Sequence, residues 1–368
     1  MKAALLTMVV AMAAYGQPAG AVPLDDIRLP DGFEISVYAE VPNARSLALS
    51  DDGAVFVGNR AGDKVWGLRD TDGDDRADER WVVLEGLDMP NGVAWHEGAL
   101  FVAENQRILR IGREEAMRRD GAQRYKVVRD DLPDDDHHGW RFIDFGPDGL
   151  LYLSIGVPCN VCEEPGFGHI ERMRPDGSEV EVVARGVRNS VGFDFDPATG
   201  DLWFTDNGRD WMGDDLPSCE LNHLSEVGQH FGFPYCHQGD LPDPEYGRNA
   251  NCEDYRAPAA LLGPHVAPLG MAFYDGGQFP TEYHGKIFIA EHGSWNRSEK
   301  IGYQVVLADP DFDRDKGKAK VTVFAAGWLQ GQSASGRPVD VLVMPDGALL
   351  VSDDAADLVY RISYRKAD

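Results

Sequence analysis

Two adjacent histidines lie in a polar segment just before a predicted strand. His137 and His138 follow a run of aspartates that begins at Asp134, and the segment leads into a strand–turn–strand sequence at 145–154. Imidazole accepts protons near neutral pH, and neighbouring carboxylates are expected to hold it basic. His137 is therefore the candidate general base, and His138 is interpreted as structural. The alternative for His137 is a loop histidine without a catalytic function.

Basic and polar side chains recur beside the predicted strands of later repeats. The segments are 188–189, 206–210, 220–222, 292–300 and 337–340. The repeated strand–turn–strand units described below predict a β-propeller. Loops at the strand ends of a β-propeller converge on its central channel, so these groups are expected to meet there. The expected cationic cluster consists of Arg188, Arg297, Lys300 and Arg337. In a chain with a formal net charge of −27, such a cluster predicts a site for a small anionic ligand.

A simpler interpretation of these residues stays open. Arg188 and Arg337 would then only form salt bridges with acidic loops, and Trp295 would be a core aromatic residue. The acidic composition of the whole chain disfavours binding to nucleic acid under either interpretation.

One strand–turn–strand unit recurs along the chain and predicts the architecture. Each copy has two apolar strands on either side of a turn that contains glycine. The turn glycines are Gly53, Gly98, Gly149, Gly200, Gly285 and Gly347. Their spacings of 45, 51, 51, 85 and 62 residues fit a propeller blade of roughly 40 to 50 residues with late insertions. The prediction is an all-β, six-bladed β-propeller, and the alternative is an irregular β-sandwich.

The first residues have the composition of a secretion signal. Residues 1–21 combine Lys2, a short apolar run and a small-residue ending at Ala21. The apolar run is shorter than the ~20 residues that span a bilayer. We therefore expect a periplasmic or secreted protein that has no membrane span once the signal is removed. Residues 22–368 are expected to form a single catalytic propeller domain, with a loop insertion at about 208–264.

Five cysteines in an exported chain indicate disulfide bonds. The pairs nearest in sequence are Cys159–Cys162 and Cys236–Cys252, which leaves Cys219 without a partner. The spacing of the first pair also suits c-type haem, but Glu163 follows it where haem attachment requires histidine. Haem is therefore rejected.

An acidic loop offers a candidate structural metal site. Carboxylates alternate around Gly73, which permits a sharp turn while several oxygens converge on one hard cation. The candidate ligands of a structural Ca²⁺ are Asp70, Asp72, Asp74 and Asp78. A solvated acidic hairpin loop would have the same sequence.

Several motifs, in their order along the chain, resemble those of one enzyme family. They lie at 137–141, 188–192, 206–210, 220–223, 228–234, 292–297 and 336–339. Together they are similar to the motifs of the soluble pyrroloquinoline quinone (PQQ)-dependent sugar dehydrogenases, the glucose/sorbosone dehydrogenase family. The similarity is nearest to the sorbosone dehydrogenase-like branch and extends from about Leu29 to Tyr364.

The resemblance implies a PQQ- and Ca²⁺-dependent enzyme that oxidises an aldose, a sorbosone-like aldehyde or a related polyol. His137 lies four residues before Arg141, which is the offset of the family's catalytic base. This base takes the substrate hydroxyl proton while hydride leaves the same carbon for the quinone. Arg188 and Asn189 match the pair that contacts the quinone.

The resemblance also implies a metal site and further cofactor contacts. The backbone carbonyls of Gly208 and Arg209 match those that bind the Ca²⁺ at PQQ, where the ion acts as a Lewis acid. The late residues that resemble those stacking on PQQ or pairing with its carboxylates are Trp295, Arg297, Lys300 and Arg337. Cys219 is a departure, because family members usually have an acid immediately before Glu-Leu-Asn.

The electron acceptor is expected to be a separate protein, such as a small periplasmic cytochrome, because no cytochrome domain is attached. Two other functional classes stay open at this point. A Ca²⁺-dependent lactonase-type propeller would hold its metal with side-chain carboxylates and amides and would not need the cationic cluster. A noncatalytic binding propeller would not need His137.

Overall fold

The computed structural model describes residues 22–313 and 318–365. The secretion signal expected at 1–21 therefore lies outside the described residues. Within the described ranges, no helix has the length and apolar composition needed to cross a bilayer. The α-helix α1 (Arg113–Ala116) has one turn, and short 3₁₀ turns occupy Leu24–Asp26, Cys252–Asp254 and Thr281–Tyr283.

The described strands form six main sheets, which are antiparallel apart from one short parallel pair, and β1 (Phe33–Glu40) precedes the first complete one. The first blade contains β2 (Ala44–Leu49), β3 (Val55–Asn59), β4 (Val65–Arg69) and β5 (Glu79–Leu84). The second contains β6 (Gly92–His96), β7 (Ala99–Ala103), β8 (Ile108–Gly112) and β9 (Lys126–Arg129). The third contains β10 (Phe142–Phe145), β11 (Leu151–Ile155), β12 (His169–Met173) and β13 (Glu181–Arg185).

The later blades follow the same order around a long insertion. The fourth begins with β14 (Phe193–Phe195), β15 (Leu202–Asp206) and β16 (Ser218–Leu224). The insertion holds β17 (Gln229–His230), β18 (Cys236–His237) and β19 (Leu241–Pro242), and β20 (Ala260–Pro264) then completes the blade. The fifth contains β21 (Pro268–Phe273), β22 (Ile287–Glu291), β23 (Gln304–Asp313) and β24 (Lys318–Ala326). After β25 (Leu329–Gln330) and β26 (Ser333–Ala334), the sixth contains β27 (Pro338–Val343), β28 (Leu349–Asp353) and β29 (Leu358–Tyr364).

The ring is closed by strands from both ends of the described chain. Strand β1 pairs antiparallel with β29, with Phe33 opposite Tyr364, and so supplies the outer strand of the sixth blade. The first strands of neighbouring blades contact one another around the axis. Closure of this kind protects the sheet edges. The predicted six-bladed β-propeller is confirmed.

The turn glycines that predicted the repeats have the backbone conformation that the turns require. All six lie in the left-handed region, with φ between 71° at Gly98 and 87° at Gly347. A residue with a Cβ is disfavoured there, which explains why glycine recurs at these positions. The hydrophobic core lies between blades. For example, Phe101 of β7 packs with Leu153 of β11 in one buried cluster.

The two disulfide pairs predicted from sequence are present, and Cys219 is a buried thiol. The Cys236–Cys252 bond closes a loop across 16 residues within the insertion. We expect Cys236→Ser/Cys252→Ser to lower the free energy of unfolding by about 3 kcal/mol, because the unfolded chain gains the freedom of the opened loop. Urea denaturation measures this change, and an unchanged midpoint would show that the bond contributes no stability.

Three aspartates from different blades face a second cavity of about 240 Å³ that the first strands of five blades line. Burial raises the pKa of Asp144, Asp194 and Asp340 to about 7 each, and electrostatic repulsion between these carboxylates adds to the shift. In the unfolded chain each carboxyl ionises at its ordinary, much lower pKa. The stability that each group contributes is therefore fully present only below about pH 3.8, and it is lost progressively as pH rises from there through about 7.

Asp144→Asn is consequently expected to stabilise the protein more at pH 8 than at pH 5. The expected difference between the two gains is about 1 to 3 kcal/mol, because the amide removes a charge that the folded protein holds at pH 8 and largely lacks at pH 5. Denaturant titrations at both pH values check this, with the exposed Asp31→Asn as the matched control. Equal effects of Asp144→Asn at the two pH values would contradict the shifted pKa.

Candidate active site

A cavity of about 690 Å³ lies where loops precede the first strands of several blades. It is lined by most of the polar groups that the sequence placed near the channel. The predicted residues in its wall are His137, Arg188, Asn189, Gly208, Trp295 and Arg337. Propeller loops thus bring together residues that are up to 200 positions apart in sequence, between His137 and Arg337.

Three predicted residues are held outside this lining. Arg297 donates from Nε to the Asp214 carbonyl at 3.1 Å and from Nη2 to Asp215 at 3.2 Å. Lys300 donates from Nζ to a main-chain carbonyl at 2.9 Å. The Arg209 side chain forms an ion pair with Asp243. The cationic cluster expected from sequence therefore has partly different members.

Arg45 and Arg60 are cations that the sequence interpretation missed. Arg45 lies in β2 with 1% of its surface exposed, and its Nη1 contacts Asp354 at 3.0 Å. The Arg60 guanidinium lies 3.7 Å above the Trp140 ring. Partial burial of this guanidinium and the nearby charge of Arg45 lower the pKa of Arg60 to about 10. An available signal was the arginine inside the otherwise largely apolar strand sequence 44–49.

His292 and Asp354 form a buried pair in the same wall. The His292 Nε2 lies 2.7 Å from Asp354 Oδ1. Burial lowers the pKa of His292 to about 4 despite this carboxylate, so the imidazole is neutral at neutral pH. Burial opposes ionisation of Asp354, but His292 and Arg45 hold its pKa well below the usual range. The carboxylate therefore already has two partners.

The adjacent histidines differ in their environments, with ring centroids 4.1 Å apart. His137 is exposed, and partial burial of its ring together with Arg188 lowers its pKa. This corrects the expectation that neighbouring carboxylates hold it basic, because the attraction of Asp135 and Asp210 is the weaker effect. His138 is buried, donates from Nδ1 to the Val157 carbonyl at 2.8 Å, and has a pKa well below its ordinary value, mainly because of burial.

The backbone of the Arg188-Asn189 pair is fixed by Asp206 at the end of β15. One carboxylate oxygen accepts the N–H of Arg188 at 2.8 Å, and the other accepts the N–H of Asn189 at 2.7 Å. Burial raises the pKa of Asp206 to about 6. The Arg188 side chain is itself 4% exposed, and its Nη2 contacts Asp210 at 3.1 Å.

The candidate ligands of the structural Ca²⁺ in the acidic loop do not all lie together. Oxygens of Asp70, Asp72 and Asp78 lie within 4.8 Å of one another, and Asp74 is not part of this group. Asp70 also accepts the N–H groups of Gly73 and Asp75, which are ordinary turn hydrogen bonds. A structural Ca²⁺ in this exposed loop stays a prediction.

Gly208 and Cys219 lie together in the wall of the main cavity. Burial raises the pKa of the Cys219 thiol to about 11, so the sulfur stays protonated at neutral pH. A neutral thiol is a poor ligand for a hard cation such as Ca²⁺. A Ca²⁺ ion at this place would therefore have to be coordinated by backbone carbonyls and by oxygens of a bound small molecule.

Comparisons with known proteins agree with this fold. The chain is 30% identical to an uncharacterized protein of Borreliella burgdorferi over 355 residues, covering 92% of this chain and 91% of the relative. Its structure is similar to the holo form of the pyranose dehydrogenase PQQ domain from Coprinopsis cinerea, with a TM-score of 0.77, 20% identity, and coverage of 92% and 97% of the two chains.

A second structural neighbour is the calcium structure of a Carbohydrate-Active Enzymes family AA12 protein from Trichoderma reesei. The TM-score is 0.78 at 17% identity, with coverage of 95% of this chain and 99% of the other. At these identities the structural similarities show the shared propeller fold. The fold of the soluble PQQ-dependent sugar dehydrogenases, which the sequence motifs indicated, is thereby confirmed. The TrAA12-like family model matches residues 174–365, and the chain belongs to the TrAA12-like family.

Proposed function

We propose that this protein is a PQQ- and Ca²⁺-dependent dehydrogenase that oxidises a sugar and passes the electrons to a separate acceptor. The observation that carries the proposal is the gathering of arginines at one cavity of a chain with a net charge of −27. These arginines are Arg45, Arg60, Arg188 and Arg337. Such a reversal of charge favours an anionic ligand.

Two of these cations are poised to receive an anion. Among residues 22–313 and 318–365, no carboxylate oxygen lies within 4.0 Å of the guanidinium nitrogens of Arg60 or Arg337, although the Arg337 main-chain N–H donates to Asp353 at 2.8 Å. Arg337 instead donates to the main-chain carbonyls of His292 at 2.9 Å and Gly293 at 2.7 Å, which hold its guanidinium in place. Arg45 and Arg337 both repel the charge of Arg60, and the attraction of Asp354 offsets this only in part. A bound anion would relieve this repulsion.

PQQ fits these properties of the cavity. It carries three carboxylates on a planar ring system, which require cations and a flat aromatic or guanidinium face. Trp140 and Trp295 line the same cavity as the arginines. The Coprinopsis cinerea neighbour is described as a PQQ domain, and the Trichoderma reesei neighbour as a calcium structure. When bound, PQQ supplies a hydride acceptor and Ca²⁺ a Lewis acid.

The chain's own residues would then orient the substrate and move its proton. We assign the cofactor contacts to Arg188, Asn189, Trp295 and Arg337, and the Ca²⁺ contacts to the carbonyls of Gly208 and Arg209. His137 accepts the hydroxyl proton of the sugar at its imidazole nitrogen. Its lowered pKa keeps the imidazole neutral, and therefore able to accept a proton, at neutral pH.

The alternatives are less well supported by the cavity. A lactonase-type site needs several side-chain oxygens around a metal, whereas the carboxylates in this lining are Asp136 and Asp210, and Asp210 is paired with Arg188. A binding propeller gives no reason for an ionisable His137 beside the arginines.

The proposal also covers localisation and domain organisation. The protein is periplasmic or secreted, residues 22–368 form one catalytic domain, and the insertion at about 208–264 shapes the substrate site.

Reconstitution tests this function. Purified protein is mixed with PQQ and Ca²⁺, and the cofactor absorption and the reduction of a dye by a panel of aldoses and polyols are recorded. A dehydrogenase gives a bound-quinone spectrum and sugar-dependent dye reduction. Lactone hydrolysis with Ca²⁺ alone would indicate the lactonase, and the absence of both activities with a bound sugar would indicate a binding propeller.

A further inference from the structure

The short loop closed by Cys159–Cys162 lies against the Arg188 guanidinium. Asn160, in the middle of this loop, accepts the Arg188 Nε hydrogen with its main-chain carbonyl at 2.8 Å. Its side-chain Oδ1 accepts an Nη2 hydrogen at 3.0 Å. Asn160 thus accepts two hydrogen bonds from the guanidinium, and two such bonds restrict the orientation of the guanidinium more than one does.

Asn160 also holds the loop that follows β15. Its Oδ1 accepts the N–H of Asp210 at 2.8 Å, and its Nδ2 donates to the Asp210 carbonyl at 3.1 Å. Asp210 in turn contacts Arg188 Nη2 at 3.1 Å. A single amide therefore connects the third blade with the arginine and with the loop that contains the proposed Ca²⁺ carbonyls.

The same short segment contacts both histidines. Val157 donates its N–H to the Arg188 carbonyl at 2.9 Å and accepts from His138 with its own carbonyl. The Cys159 backbone lies near the His137 imidazole, where it acts to raise the pKa of His137 against the larger lowering effects of burial and Arg188. Residues 157–160 consequently support His138, Arg188 and Asp210 on this side of the cavity.

The contacts of Arg188 define what it can offer to a ligand. Nε, both Nη2 hydrogens and one Nη1 hydrogen are directed at Asn160, Asp210 and the Asn207 carbonyl. Arg188 is 3% exposed, and these hydrogen bonds hold its guanidinium in place before any ligand binds. A fixed charge loses less entropy on binding than a mobile one.

We infer that Asn160 is the positioning residue of this cavity, and that the Cys159–Cys162 bond keeps it in place. Asn160 orients Arg188 and Asp210 and contacts neither substrate nor cofactor in this role. The closed four-residue loop restricts where its amide can lie, so the guanidinium and the Asp210 loop keep one arrangement. The identity of the ligand as PQQ rests on the proposed function, whereas the positioning of Arg188 does not.

The first test needs no cofactor. Apo-protein is treated with phenylglyoxal, and modification of Arg188 is followed by peptide mass spectrometry. Asn160→Ala is expected to raise the modification rate about tenfold or more with little change in melting temperature, and Cys159→Ser/Cys162→Ser is expected to raise it by a smaller factor. Asn249→Ala, which changes an exposed amide in the insertion, is the matched control. A rate equal to that of the parent in both loop variants overturns the inference.

The second test separates this inference from the proposed function. Titration with PQQ in the presence of Ca²⁺ is expected to show affinity about tenfold weaker for Asn160→Ala than for the parent and for Asn249→Ala. Equal affinities overturn the role of Asn160 at the cofactor. If the parent binds no PQQ while Arg188 becomes reactive in Asn160→Ala, the positioning role holds and the proposed function fails.

Discussion

His137→Ala is expected to lose sugar-dependent turnover by about 10²- to 10⁴-fold while it still binds PQQ. The loss follows because the substrate hydroxyl proton then has no imidazole to accept it. Binding is retained because the cations assigned to the cofactor are other residues of the cavity wall. The measurement is the rate of quinone reduction by sugar in reconstituted protein, with the bound-cofactor spectrum recorded in the same sample.

The pH profile adds a second readout on the same residue. Burial and Arg188 lower the pKa of His137, so its neutral, proton-accepting form is present at neutral pH and is lost only as pH falls through this lowered value. The acid limb of kcat/KM is therefore expected below the ordinary histidine pKa of about 6.5. This limb is expected to be absent from the residual activity of His137→Ala.

His138→Ala is the matched variant, and it is expected to lose much less turnover. This imidazole is buried with its Nδ1 bonded to Val157, so its replacement mainly costs stability. The opposite pattern, an inactive His138 variant beside a nearly normal His137 variant, would assign the base to the Nε2 of His138. Activity in both variants would remove the histidine-base mechanism.

Arg337→Ala is expected to weaken PQQ binding by about 1.5 to 3 kcal/mol, which corresponds to a loss of roughly 10- to 150-fold in affinity. Main-chain carbonyls hold its guanidinium at the cavity, so its charge is available to a ligand carboxylate. Arg188→Ala is expected to change affinity in the same direction. The measurement is a PQQ titration of the apo-protein.

Arg297→Ala provides the control for this prediction. The sequence placed Arg297 in the same cluster, but the structure directs its guanidinium to Asp214 and Asp215. Its replacement is therefore expected to leave PQQ affinity within about twofold of the parent value, because Arg297 does not line the cavity. An equal loss in the Arg297 and Arg337 variants, or unchanged affinity in both Arg188 and Arg337 variants, would contradict the assignment of the cofactor contacts.

The fold was predictable because its signal is local and repeated. A glycine at φ of about 70° to 90° lies between the first and second strands of each blade, and this requirement is visible in the sequence of every blade. The pairing of β1 with β29 was not predicted, because it joins residues more than 300 positions apart and leaves no local pattern.

The site was predictable only in part. Arg188 and Arg337 lie within the recognised motifs and could be assigned to the site from the sequence. Arg45 and Arg60 lie outside these motifs and reach the cavity from the first blade through tertiary packing alone. Arg297 and Lys300 lie in the expected segment, but their side chains are bonded outside the cavity lining. The pKa direction of His137 also depends on burial and on Arg188, which is 51 residues away in sequence. The aspartates near His137 in sequence therefore did not predict the direction in which its pKa is shifted.

The decisive measurement is a titration of purified apo-protein with PQQ, with and without Ca²⁺, followed by addition of sugar. We expect saturable binding that Ca²⁺ strengthens, and reduction of the bound quinone by at least one aldose or polyol. If the cavity bound no PQQ in the presence of Ca²⁺, the proposed cofactor would be wrong.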